Sequence, residues 1–165
     1  MKQYSVSPIA EEDPATREAL RELNNRHIRE TSFLSPEKWQ RLINEAFQAS
    51  CVAEAAGFMI AFQQDARYDS ENFNWFCQRH QRFVYVDRIV VDGRFRGQGL
   101  ARLLYEELFA LAREKSHDKV FCEVNLDPPN PGSDAFHAAL GFVELGRGRV
   151  RESGRVVRYL SKSLV

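Results

Sequence analysis

The sequence predicts a mixed α/β fold in a single domain covering residues 1–165. Three observations lead there. Phe83 to Val91 is dense in Val, Ile, Tyr and Phe, the residue types that favour strands. A glycine-punctuated loop follows, and after it Leu100, Leu103, Leu104, Leu108 and Leu111 recur on one face of a helix running from about Gly99 to Lys115. Elsewhere helix-start signals alternate with strand-like runs, as helices packed on a sheet require. At 165 residues the chain can bury a sizeable core.

Taken in order, a short strand is expected around Gln3 to Val6. Asp13-Pro14 opens a helix, Asp suiting the N-cap and Pro the first helical position. Ser35-Pro36 repeats that signal ahead of Trp39, Leu42, Ile43, Ala46 and Phe47. Cys51 to Ala56, Gly57 and Phe58 to Gln63 read as a hairpin. Asp65 to His80 reads as a long polar loop carrying Tyr68, Phe73, Trp75 and Phe76. Phe83 to Val91 is apolar on both faces, as in a buried central strand, and Asp87-Arg88 in its middle predicts a bulge. Val120 to Asn125 is a further strand. A short helix capped by Ser133 is expected to run to Leu140, with Gly141 ending it. Phe142 to Leu145 and Val156 to Leu160 close the fold around a Gly146 to Gly154 turn region.

Lys plus Arg balances Asp plus Glu at 23 each, which argues against a polyanionic partner such as nucleic acid and against a membrane surface. The arginines are nevertheless grouped. Arg94, Arg96 and Arg102 lie between Asp92 and Glu106 with no acid among them, and five more fall between Arg147 and Arg158. Such grouping suggests a local anionic ligand. Cys51, Cys77 and Cys122 form no C-x-x-C pair, so neither a disulfide framework nor a metal site is expected. With no apolar leader or spanning run, the expected location is cytoplasmic.

The segment Ile89 to Ala101 holds the chemistry. A strand ends, Gly93, Gly97 and Gly99 punctuate a loop, and a helix begins. Unpaired N–H groups at a helix start bind anions, and glycines allow a phosphate to approach the backbone closely. A Walker loop would need Lys-Ser/Thr after the last glycine, where Leu100-Ala101 stands. A dinucleotide fingerprint would need Gly at the position of Arg102. The pattern that survives is R-x-x-G-x-A, from Arg96 to Ala101.

That loop resembles the coenzyme A pyrophosphate loop of the GNAT acetyltransferase superfamily. The resemblance extends over nearly the whole chain through Glu123-Val124-Asn125, Asn130 and Phe136-His137-Ala138-Ala139-Leu140-Gly141-Phe142. It is nearest to a bacterial group with a Pro-Asn-Pro-Gly-Ser segment, here Pro129 to Ser133. The resemblance implies the GNAT fold, a mostly antiparallel sheet of about six to seven strands flanked by helices, with strands four and five splayed. It implies acetyl-CoA as co-substrate, no metal, and direct attack by an amine acceptor, a small molecule or a peptide. A homodimer is compatible with it. The competing reading is a non-catalytic acyl-CoA-binding module on the same fold.

Residue by residue, the resemblance implies that Ile89, Val90 and Val91 meet the acyl-pantetheine through their backbone. Arg96, Gly97, Gln98, Gly99, Leu100, Ala101 and Arg102 would cradle the pyrophosphate, and Asn130 would contact the pantetheine arm. Glu123 aligns with a glutamate that acts as base in some relatives, and Asp87 is the second candidate. His137 stands where many relatives have a tyrosine acid, a departure from the common pattern. It is expected to donate to the departing thiolate or to position the sulfur. His27, His80 and His117 lack such context and are expected at the surface. Cys122 should point away from Glu123, so no acyl-cysteine is expected. Asn25 to Leu34, Asp65 to Phe83 and Gly146 to Arg155 would build the acceptor site. Arg147, Arg149 and Arg151 would meet an anionic group there or form a solvated face.

Overall fold

The computed structural model describes residues 2–165. Seven strands form one sheet in the order β1-β2-β3-β4-β5-β7-β6. They are β1 (Val6–Pro8), β2 (Gln48–Val52), β3 (Gly57–Gln63), β4 (Val84–Val91), β5 (Lys119–Asp127), β6 (Val143–Arg149) and β7 (Val156–Ser163). The helices are α1 (Pro14–Asn25), α2 (Pro36–Glu45), α3 (Glu71–Cys77), α4 (Leu100–Glu114) and α5 (Pro131–Ala139). All neighbours pair antiparallel except β4 and β5. That parallel ladder holds only Val84 opposite Val120 and Tyr85 opposite Phe121, so the two strands part beyond Tyr85.

The period-two alternation of the strands feeds two cores. Phe58, Ile60, Phe62, Tyr85 and Phe121 face α1, α2 and α3. Met59, Ala61, Val84, Val120 and Cys122 face α4, through Leu104, Tyr105 and Leu108. Both early helices start as their sequence signals require: Asp13 and Ser35 accept from the N–H three residues on, with Pro at the first helical position.

Several elements differ from expectation. β1 starts at Val6 because its register is fixed by pairing with Ser50 to Val52, and Pro8 is tolerated on this edge strand. β2 begins at Gln48 and ends at Val52, leaving residues 53–56 to the turn. The cap of α5 is Asn130, whose Oδ1 accepts from the Ser133 N–H at 3.3 Å, and not Ser133 itself. β6 continues to Arg149, which shortens the closing turn. His117 is buried, edge-on to Phe47, and is not a surface residue.

The largest correction lies in the expected 65–80 loop, where residues 71–77 form α3, capped by Ser70. Its Phe73 and Phe76 point inward, and Phe76 stacks on Phe121 at 4.6 Å between centroids. Trp75 stacks on Tyr159 at 4.0 Å, which places it against Gly146; a Cβ there would come within 3.0 Å of the indole. Tertiary packing holds this two-turn helix, since isolated helices of such length are unstable. Phe76→Ala should therefore destabilise the protein by about 3–5 kcal/mol, measured by denaturant unfolding.

Candidate active site

Asp87 and Arg88 form the bulge that their charges foretold. Ile60 pairs with Arg88 and Ala61 with Val86, which leaves Asp87 outside the ladder. Both side chains consequently lie on the face of α1. Arg88 Nε donates to Asp87 at 2.8 Å, and its remaining nitrogens donate to Asn24 Oδ1, the Ser32 carbonyl and Ser32 Oγ. Tyr68 donates to the other Asp87 oxygen at 2.6 Å. Both oxygens of Asp87 are thus already engaged.

Past the bulge, β4 offers free backbone groups. The Asp92 N–H donates to the Ala56 carbonyl at 2.8 Å. In an alternating antiparallel ladder Val90 then also faces β3. Ile89 and Val91 turn their N–H and C=O groups to the opposite edge, where β5 has already left. A cleft of about 540 Å³ opens there, bordered by Ile89, Val90, Val91, Arg96, Gly97 and Ala101 on one side and Glu123, Asn130 and His137 on the other.

At its far end the loop is set by local chemistry. Asp92 Oδ1 caps a 3-10 turn at Gly93–Phe95 by accepting from the Arg94 N–H. The Arg94 guanidinium beside it holds the Asp92 carboxyl well below the usual carboxylate range. Gly97 and Gly99 adopt φ of +76° and +79°, the left-handed region that glycine enters without a Cβ penalty. Gly99 caps α4 without a side chain, so the first-turn N–H groups of α4 lack intrahelical partners. A Cβ at either glycine would meet nothing within 4 Å, which leaves room for a bulky anion. The shape and donors fit the pantetheine and pyrophosphate of coenzyme A.

The predicted cofactor residues do not all behave alike. Leu100 is buried in the core beneath α4, and Gln98 accepts from the Tyr4 hydroxyl. Gln98, Gly99, Leu100 and Arg102 do not border the cleft with their side chains. Gly97 and Ala101, on either side of the start of α4, do border it.

Glu123 sits on β5 at the cleft's inner end. Tyr85 donates to its Oε2 at 2.8 Å and Asn72 Nδ2 to its Oε1 at 3.1 Å. Tyr159 in turn donates to Asn72 Oδ1 at 3.0 Å. Burial, and next the negative charge of Asp87, push the Glu123 carboxyl up to about 8. A carboxyl so poised can take a proton near neutral pH.

His137 is buried on α5. Its Nδ1 lies 2.7 Å from the Ser133 carbonyl and its Nε2 2.7 Å from the Tyr105 hydroxyl. A carbonyl only accepts, so Nδ1 carries the proton and Nε2 accepts from Tyr105. Burial lowers its pKa, which favours this neutral form. Cys122 faces α4 and is buried, its thiol pushed up by burial, on the opposite side of β5 from Glu123.

Sequence reasoning missed Asn72, Tyr85 and Tyr105. Tyr85 carried a signal, because two residues along a strand share a face and Asp87 was already suspected. Asn72 and Tyr105 carried none.

A sheet opened between two parallel central strands, with a glycine loop feeding the helix that follows, is the scaffold of an acyl-CoA-dependent acyltransferase. The chain belongs to the acetyltransferase (GNAT) family, whose model matches residues 14–142. No curated protein matches it in sequence. Among solved structures it resembles one chain of the structure of the NatC complex bound to Gag peptide and CoA, at 14% identity and a TM-score of 0.77, covering 99% of this chain and 100% of that one. It also resembles Arabidopsis thaliana NAA60 in complex with acetyl-CoA, at 16% identity and 0.73, covering 98% and 99%. Ard1 from Thermoplasma volcanium gives 18% and 0.73, covering 98% of each chain. At these identities the likeness is one of fold. No helix among the described residues is long and apolar enough to cross a membrane, and no group of three or more His, Cys, Asp or Glu is placed to hold a metal.

Proposed function

We propose that this acetyltransferase passes the acetyl group of acetyl-CoA directly to a primary amine, on a small molecule or a peptide, in a ternary complex. One observation carries the reading. A second cavity, of about 390 Å³ on the α1 face, meets the acyl cleft at Asp87, Arg88, Glu123 and Asn125. An amine entering by the second cavity reaches a thioester lying in the first. Cys122 also borders the acyl cleft, but burial pushes its thiol up and away from the thiolate an acyl-enzyme would need, which favours direct attack.

Glu123 takes the proton that frees the amine lone pair. The N–H of Ile89 polarises the thioester carbonyl as an oxyanion donor. The first-turn N–H groups of α4, with Arg96, Gly97 and Ala101, hold the pyrophosphate, and Asn130 meets the pantetheine through its free Nδ2. Asp87 serves as the partner that fixes Arg88 and raises Glu123, and not as the base. The proton for the departing thiolate comes from the Tyr105 hydroxyl, which turns from His137 Nε2 to the sulfur to deliver it and regains a proton from solvent once coenzyme A leaves; no imidazolium is needed.

The experiment is steady-state thiol release from acetyl-CoA with an amine acceptor in the Tyr105→Phe and His137→Phe variants. Both should lower kcat by roughly tenfold or more while KM for acetyl-CoA changes little. The wild-type profile should show no limb near 6.5 that disappears in His137→Phe. Unimpaired kcat in both variants would remove the pair from the mechanism.

A further inference from the structure

The second cavity is acidic. Glu30, Asp69, Glu71 and Glu152 are exposed residues of its lining, Glu30 bordering the acyl cleft as well, and Asp87 and Glu123 line it where the two cavities meet. Glu123, held at about 8, is largely protonated near neutral pH, so five carboxylates stand against three cations, Lys38, Arg88 and Arg155. Arg88 is held by Asp87. The Arg155 guanidinium donates to the Thr31 and Ile28 carbonyls at 3.1 and 2.8 Å. Of the three arginines expected to meet an anionic acceptor group, Arg147 pairs with Glu144 and Arg149 donates to the Gly154 carbonyl, and none is part of the cavity lining.

Shape is an independent guide. Arg155 ties the start of β7 to the α1–α2 connection, and the Arg151 N–H donates to Glu71 at 3.0 Å, tying the β6–β7 tip to α3. These links join three walls around a volume suited to a small ligand. Ile28, Val150 and Val157 supply apolar lining for an aliphatic stem.

We infer that the acceptor is a small aliphatic amine carrying a second positive charge. Its reacting nitrogen lies at Glu123, and its other cationic end lies among Glu30, Asp69, Glu71 and Glu152. Acetylation forms the amide bond at the first nitrogen and breaks the thioester C–S bond. The proton of the amine goes to Glu123, and the thiolate is protonated to free coenzyme A. The second charge is untouched. This inference rests on the acetyl-transfer reading above.

The test compares kcat/KM for diaminobutane, butylamine and a tetrapeptide with uncharged side chains, at low and high salt. Diaminobutane should exceed butylamine by about tenfold at low salt, because several exposed carboxylates act together and screening weakens them. The ratio should fall toward one at high salt and in the Glu30→Gln/Glu152→Gln double variant, whose carboxylates make no side-chain hydrogen bond in the structure. Equal efficiencies at low salt, a best rate with the peptide, or a ratio indifferent to the double variant would overturn the inference. Turnover of butylamine without a diamine advantage leaves acetyl transfer standing and removes the charge argument alone. Absence of thiol release with every acceptor removes both.

Discussion

Glu123→Gln lowers kcat by roughly a hundred- to ten-thousandfold, the range for a lost general base, with KM for acetyl-CoA nearly unchanged. Glutamine keeps the shape and still accepts from Tyr85 or Asn72, so the loss is one of basicity. The wild-type rate should rise with pH as Glu123, held at about 8, gives up its proton. That inflection should vanish in the variant. Stability supplies a second readout. The folded carboxyl binds its proton more tightly than the unfolded one, so the native state loses relative stability as pH rises from the ordinary carboxylate range through about 8. Glu123→Gln should match the wild type in thermal unfolding near pH 4 and exceed it above pH 8. An unchanged pH–rate profile would assign the base to another group.

Gly99→Asp raises KM for acetyl-CoA by roughly a hundredfold, because it sets a carboxylate at the positive end of α4 where the pyrophosphate must lie. Gly99→Asn separates charge from shape. Asn tolerates the left-handed region that Gly99 occupies at φ +79°, and its Cβ would meet open space. Its KM should stay within a few-fold of the wild type. Arg96→Ala should give an intermediate loss. Equal KM values for the Asp and Asn variants would move the pyrophosphate away from this helix start.

The parts of the site legible in the sequence are those fixed by short-range physics. Gly97 and Gly99 announce a loop whose backbone dihedrals other residues resist. Asp87-Arg88 announces a bulge because two charges cannot both lie on the buried faces of an apolar strand. Glu123 was marked by the resemblance alone, through its match to a glutamate that acts as base in some relatives. What escaped depends on distant partners. α3 has only seven residues, Glu71–Cys77, with Phe73 and Phe76 buried, too short for a helical period to stand out from its polar surroundings. Asn72 reaches Glu123 across 51 residues of sequence. The protonation of His137 is decided by a carbonyl one turn back and a tyrosine from another helix. For the arginines of the last hairpin the sequence left an anion ligand and a solvated face open, because it cannot show that Arg147 turns to Glu144 and Arg149 to the Gly154 carbonyl.

We propose that two cavities meeting at Glu123 make this protein a working transferase. Thiol release from acetyl-CoA across a library of primary amines tests it most directly. Sustained multiple turnover is expected with at least one amine, abolished by Glu123→Gln while coenzyme A still protects that variant against thermal unfolding. Thermal protection of the wild type by coenzyme A, with no amine in the library turned over, would contradict it.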